Sequence, residues 1–217
     1  MHVFVTGGTG YLGRAALPRL VARGHTVRAL ARPGSEGRVP AGCEVVAGDA
    51  LDASTWADRV APADTLLHLV GVSHPAPWKA ALFDRVDRRS AAASVAAAMR
   101  SGVRHLVYLS VAQPAPVMRA YVAAGAACEA LIAQSGVDAT FVRPWYVLGP
   151  GHRWPYALVP LYALFSRLPG GRDTALRLGL VTLPEMVAAL IWTAENPASG
   201  IRVVAVPDIR LLARAVT

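Results

Sequence analysis

Lysine is almost missing from this sequence: of 22 basic residues only Lys79 is lysine, the rest being arginine. That bias describes a compositional habit more than a phosphate-binding surface. The arginines are scattered, with Arg85, Arg88 and Arg89 as the only tight cluster. The net charge of +8 therefore comes without a nucleic-acid motif, and no polynucleotide partner is expected. Cysteine is scarce too. Cys43 and Cys128 lie far apart with no metal-ligand spacing, which points away from a disulfide framework or metal centre and toward two reduced, packed thiols in a cytoplasmic protein. Internal repeats and low-complexity linkers are absent. No secretory leader is read, because strand-like sequence starts at His2 without a charged n-region or cleavage site. A chain of 217 residues, 54% hydrophobic and 17% charged, suits one domain over 1–217 whose sheet is buried on both faces.

What is present stands at the start. Residues Val3 to Gly13 read VFVTGGTGYLG: a short β-rich run, glycines at 7, 10 and 13, then a helix-like stretch from Arg14 to Arg23. Glycine is needed where a chain turns with unusual backbone angles, brings its amides to a pyrophosphate and packs a helix closely on a strand. The helix N-terminus then faces the anion. Gly7, Thr9, Gly10, Tyr11, Leu12 and Gly13 form the expected cradle. The preceding strand and following helix are the context that separates a nucleotide-binding turn from a structural one.

Strand and helix signals alternate along the rest of the chain. Strands are expected at 2–6, 25–31, 43–47, 64–70, 103–110, 137–142 and 201–206, and helices at 11–23, 54–59, 79–100, 117–135 and 183–195. Near-continuous apolar strands separated by helices predict an α/β fold, a Rossmann-type doubly wound parallel sheet with its ligand at the carboxyl ends of the strands. Thr182, Pro184 and Glu185 read as cap, first-turn proline and box carboxylate of the last long helix. The alanine-rich stretch 91–98 suits a helix lying close to a sheet.

With Thr6 before it, the G-x-x-G-x-x-G turn resembles the short-chain dehydrogenase/reductase superfamily in its extended and atypical branches. These are the NmrA-like and complex-I-subunit-like NAD(P)H-binding proteins and the NAD-dependent epimerase/dehydratase family. The resemblance continues through VRALAR (27–32), AGDALD (47–52), HLVG (68–71), GVRHLVYLSVA (102–112), RPWYVLGPG (143–151) and TLPEMVAALI (182–191). NAD-preferring sites usually end the second strand with a carboxylate for the ribose hydroxyls. Here the strand ends on Arg32, whose planar fork suits a 2′-phosphate or an adenine face, so NADP(H) is expected over NAD(H). The alternative for Arg32 is a solvated loop residue before Pro33-Gly34. The resemblance implies that Asp49 accepts from the adenine amino group beside Ala50, although a strand-end Asp is also a common turn former. It also implies that Leu69, Val70 and Gly71 wrap adenosine and ribose, and that Pro144, Trp145, Tyr146 and Val147 touch the nicotinamide.

The superfamily uses a strand-end serine to hold a substrate oxygen and a Tyr-x-x-x-Lys pair whose cation lowers the tyrosine pKa. By that resemblance Ser110 and Tyr121 are the catalytic candidates. Position 125, where the lysine should stand, is Gly125, and Lys79 begins the preceding helix. Two classes stay open: an NADP(H)-dependent oxidoreductase or isomerase acting on a small apolar carbonyl or quinone-like substrate, and a non-catalytic NAD(P)H-binding sensor or assembly subunit. A nucleotide-sugar epimerase or dehydratase ranks below both, since the chain leaves little room for a large polar substrate domain. For Tyr121 the structural alternative is an aromatic packing over the sheet.

Residues 148–182 are expected to form the substrate side. Within them Trp154 to Leu168, WPYALVPLYALFSRL, is apolar, aromatic and too short and proline-interrupted to span a bilayer. It reads as a lid over an apolar substrate, an oligomer or membrane-surface contact, or core.

Overall fold

The computed structural model describes residues 1–73, 75–150 and 177–216. Seven strands form one parallel sheet in the order β3-β2-β1-β4-β5-β6-β9. They are β1 (His2–Thr6), β2 (Thr26–Ala31), β3 (Glu44–Ala47), β4 (Thr65–His68), β5 (His105–Leu109), β6 (Ala139–Arg143) and β9 (Ile201–Ala205). The strand order reverses at β1, with β2 on one side and β4 on the other. Crevices that bind ligands in such sheets open at this point, beyond the carboxyl ends of the strands. A separate two-stranded parallel pair joins β7 (Tyr146–Leu148) to β8 (Leu180–Thr182).

Alternation along β1 shows why both faces are covered. Val3 and Val5 point into one apolar cluster with Leu17 and Leu20 of α1 (Tyr11–Ala22), and with Met186 and Leu190 of the later helix Leu183–Glu195. Phe4 points the other way, into a cluster with Trp56 and the alanines of α3. That second layer holds the single turn α2 (Ala80–Leu82), a π-helical turn at Phe83–Arg88, α3 (Arg89–Ser101) and α4 (Arg119–Gln134). Ala91, Ala93, Ala97 and Ala98 are buried, as a helix lying close to the sheet requires.

The helix Leu183–Glu195, α5, opens on the expected capping box: the Glu185 amide donates to Thr182 Oγ1 at 3.3 Å, and the Thr182 amide to Glu185 Oε2 at 2.7 Å. Three expectations change. The segment read as one helix at 54–59 is two 3₁₀ turns, Ala53–Thr55 and Ala57–Arg59. The helix read at 79–100 is interrupted by the π-helical turn. A terminal helix α6 (Val206–Val216) follows β9, where none was read. Among the described residues no helix is long and apolar enough to cross a membrane.

Trp56 joins core to site. Its ring stacks on Phe4 at 5.4 Å and its indole N–H donates to the Asp49 carbonyl at 3.0 Å, fixing the turn after β3. Trp56→Ala should cost about 3–5 kcal/mol by urea denaturation. Trp56→Phe, which keeps the stack but leaves the carbonyl without its donor, should cost about 1–3 kcal/mol. A Phe variant as stable as the parent would show that the hydrogen bond contributes nothing.

Candidate functional site

The glycine turn is built by close backbone approach. Gly7 has φ +79°, and a Cβ there would lie 2.8 Å from the carbonyl carbon of Leu69. At Gly13 a Cβ would come within 2.6 Å of the Gly8 Cα and carbonyl oxygen, so the first turn of α1 rests directly on the chain leaving β1. Gly10 occupies the N-cap of α1 without a side-chain cap, and the first turn holds no acid. With neither a side-chain cap nor an acid in that turn, the helix dipole favours an anion there. The absent Cβ atoms at positions 7 and 13 let backbone meet backbone there, which brings the start of α1 and the exit of β4 together at the turn where a dinucleotide pyrophosphate would sit. Thr9, Tyr11 and Leu12 complete the turn, with the Tyr11 hydroxyl packed against Gly149.

The adenosine end follows along β2, β3 and β4. Arg32 is exposed, just past β2. Asp49 is exposed as well, and its Oδ1 accepts the Leu51 amide at 3.0 Å, so one carboxylate oxygen closes the turn that precedes the first 3₁₀ element. Ala50 is half-buried beneath it. Leu69 and Val70 leave β4 half-buried, and at Gly71 a Cβ would stand 3.0 Å from Asp87 Oδ1.

Ser110 lies just past β5 and is 7% exposed. Its hydroxyl donates to Glu129 Oε1 at 2.5 Å, and Glu129 is held bidentately by Arg143, with Nε at 2.8 Å from the same oxygen. Tyr121, Gly125 and Glu129 recur every four residues on α4 and so share a face. That face meets the end of β5: a Cβ at position 125 would stand 3.6 Å from Ser110 Oγ and 2.8 Å from Val111 Cγ1. The Tyr121 ring packs on Phe83 at 5.1 Å. Burial, followed by the charges of Asp87 and Cys128, pushes its phenol well above the ordinary value of 10. The Lys79 ammonium donates to the Ser73 carbonyl at 2.9 Å. Downstream, Trp145 and Tyr146 meet edge to face at 5.6 Å, and Tyr146 and Val147 enter β7 after a buried Pro144. The expected lid, 154–168, lies outside the described residues.

Three buried polar side chains near these residues escaped the sequence. Glu129 sits in an alanine-rich helix, where a lone carboxylate two turns after Tyr121 was the available signal. Asp87 is buried within the π-helical turn, four residues after the buried Phe83. Its Oδ1 accepts the Val72 amide at 3.3 Å, its Oδ2 is buried with no partner among the described residues, and burial pushes its carboxyl up to about 6. His68, fully buried at the end of β4, has Nδ1 2.8 Å from both Thr6 Oγ1 and Ser94 Oγ and stacks on Tyr108 at 5.6 Å. Burial lowers it to about 4, so the ring is neutral. Elsewhere, a cleft of about 620 Å³ between α1 and α5 is lined by Arg19, Leu183 and Ile191 and by none of the expected site residues. Among the described residues no group of His, Cys, Asp or Glu is placed to hold a metal ion.

Comparison with known proteins gives this geometry its family. A family model described as NAD(P)H-binding matches residues 7–156, more than half of the chain. A ceramide reductase of Caulobacter vibrioides is 30% identical over 221 residues, covering 96% of this chain and 65% of that protein. A 4-hydroxy-2-methyl-3-oxo-4-farnesyl-3,4-dihydroquinoline-1-oxide ketoreductase of Stigmatella aurantiaca is 30% identical over 171 residues, covering 69% of this chain and 51% of that protein. The chain thus spans less than two thirds of the length of each. Among solved structures, a UDP-galactose 4-epimerase superposes with a TM-score of 0.70 at 21% identity, covering 94% of this chain and 76% of that one.

The buried ionisable groups make stability depend on pH. Folded His68 takes a proton only near 4, against an ordinary 6.5, and burial holds His105 at about 4 as well. As pH falls from 6.5 toward 4 the unfolded chain gains protons that the folded one refuses, and stability is lost. Asp87 acts oppositely: folded, it keeps its proton to about 6 rather than 3.8, so its contribution is lost as pH rises through that window. His68→Gln should therefore flatten the acid limb, by up to about 3 kcal/mol between pH 7 and pH 4. Asp87→Asn should steepen it. Urea midpoints at the two pH values measure both, and parallel limbs for parent and His68→Gln would refute the assignment.

Proposed function

We propose that this chain, which belongs to the NAD(P)H-binding family within the short-chain dehydrogenase/reductase superfamily, is an NADP(H)-dependent reductase of a small apolar carbonyl compound. One observation carries the proposal: Ser110 Oγ comes within 3.6 Å of the position-125 Cβ site on the α4 face that also carries Tyr121, at the carboxyl ends of the strands. A reduced nicotinamide, when bound, would supply the hydride. The chain's own groups do the rest. Ser110, its proton committed to Glu129, offers lone pairs that orient a donor beside the reacting oxygen, and Tyr121 presents a neutral phenol as proton donor. Two relatives are named as a ceramide reductase and a farnesylated dihydroquinoline-oxide ketoreductase, which supports carbonyl reduction on apolar molecules. The exposed Arg32, standing where a carboxylate would repel a 2′-phosphate, supports NADP(H).

A second class is favoured by Gly125. A Cβ there already meets Val111 Cγ1 at 2.8 Å, so the helix face is packed against β5 with no room for the stem of a lysine, as in a protein that binds the dinucleotide without turnover.

NADPH should bind more tightly than NADH in calorimetric titration, and Arg32→Ala should reduce that preference. Equal affinities would remove the role of Arg32. Tyr121→Phe should lower turnover of apolar ketones by about a hundredfold while leaving NADPH affinity unchanged. A parent inactive on a broad ketone and quinone panel, yet binding NADPH, would establish the non-catalytic reading instead.

A further inference from the structure

Two segments run from the carboxyl ends of β4 and β5 to the helices beyond, and both are apolar where they meet solvent. After β4 come the exposed Pro75 and Pro77 and then Trp78, on the 3₁₀ turn Pro77–Lys79, followed four residues later by Leu82 on α2. Trp78 is 84% exposed, more than any other large apolar side chain among the described residues, and Leu82 is 39% exposed. After β5 come the exposed Pro114 and Pro116 and then Val117, 55% exposed, two residues before α4 begins. Phe83, next to Leu82, packs on Tyr121, four residues after Val117, and so joins the two segments.

Their charge is one-sided. No aspartate or glutamate occurs from Gly71 to Phe83 or from Val111 to Cys128, whereas Lys79 and Arg119 stand beside the two apolar tips. A third cation, Arg177, is held there by its bond to the Pro114 carbonyl at 3.1 Å. Of the acids that follow these stretches, Asp84 is paired with Arg88 at 2.6 Å and Glu129 is buried on Arg143.

We infer that the two tips form a docking surface for an anionic lipid bilayer, with Trp78, Leu82 and Val117 entering the headgroup region and Lys79 and Arg119 meeting lipid phosphates. An indole is amphipathic and settles at the membrane–water interface, and basic residues beside it add the pull of an anionic surface. The prolines at 75, 77, 114 and 116 fix φ in both segments, so little order is lost on docking. The net charge of +8 acts in the same direction over a longer range. A second copy of the chain fits this surface less well, because a twofold contact sets Lys79 and Arg119 near their own images. In the parallel sheet, β4 and β5 end at the edge where the ligand crevice opens, so docking sets that edge beside a source of apolar molecules. The surface stands on its own exposure and charge, apart from the reductase reading.

Vesicle flotation of the full chain tests it. The protein should float with vesicles of equal phosphatidylglycerol and phosphatidylcholine, far less with phosphatidylcholine alone, and should be released as salt is raised. Trp78→Ser should keep the parent's urea midpoint, since Trp78 lies outside the core, yet weaken flotation on the order of tenfold. Lys79→Gln with Arg119→Gln should weaken it on the order of tenfold or more. Brominated acyl chains should quench part of the tryptophan emission, and that part should be missing from Trp78→Phe, which still floats. Failure to float with either vesicle, flotation indifferent to Trp78→Ser, or equal flotation on both lipids at all salt concentrations would overturn the inference. A concentration-dependent dimer that Trp78→Ser abolishes, with no flotation, would overturn it in favour of a second copy.

Discussion

Everything at this site depends on one contact without side chains: the first turn of α1 resting on the Gly7–Gly8 backbone through Gly13. A methyl group at position 13 would overlap the Gly8 backbone, so the helix could not reach the strand end, and its uncapped amides would point elsewhere. The same economy recurs at Gly7 against Leu69, which draws the exit of β4 beside the turn. Two backbone-to-backbone approaches therefore set where an anion can bind, before any polar side chain takes part.

Beneath that contact lies a polar layer that the apolar sheet has to accommodate. Thr6 ends β1 and His68 ends β4, and the imidazole joins them to Ser94 on α3. Burying an imidazole and two hydroxyls is tolerable only because each finds a partner, and the neutral ring supplies one donor and one acceptor nitrogen. The network ties the glycine turn to the helical stretch that carries Asp87, so the cofactor edge and the acid edge rest on common supports. His105 and Thr140 pair similarly between β5 and β6, at 2.9 Å.

The sheet was legible because its strands are apolar runs bounded by turn residues, and their order follows from the alternation with helices. What escaped was short or encoded by tertiary context. β7 and β8 are three residues each, too brief for any periodicity. α6 carries a weak local signal, Pro207 and Asp208 in its first turn with Val206 and Ile209 three apart, and the structure gives it substance: the Asp208 carboxylate accepts the Ala205 amide at 2.9 Å and both apolar residues are buried. The glycine turn could be read in full, since glycine's permissiveness is a property of the residue. Asp87 could not. Its neighbours Arg85, Arg88 and Arg89 describe a solvated face, and although Asp87 stands four residues after the buried Phe83, a carboxyl among basic neighbours carries no signal of burial. Ser110 and Tyr121 are candidates by family position, but the hold of Glu129 and Arg143 on Ser110 was not legible, because two charges fourteen residues apart on different elements carry no local pattern.

Glu129 and Asp87 are both buried carboxyls, and their environments differ. Glu129 is gripped by the Arg143 guanidinium and accepts the Ser110 proton, so its charge is compensated and its geometry fixed. Asp87 has a single amide on one oxygen and, among the described residues, no partner on the other, so burial favours its protonated form. The hydrogen of Gly125, standing where the family pattern has a lysine, lets α4 close on β5 until Ser110 reaches Glu129.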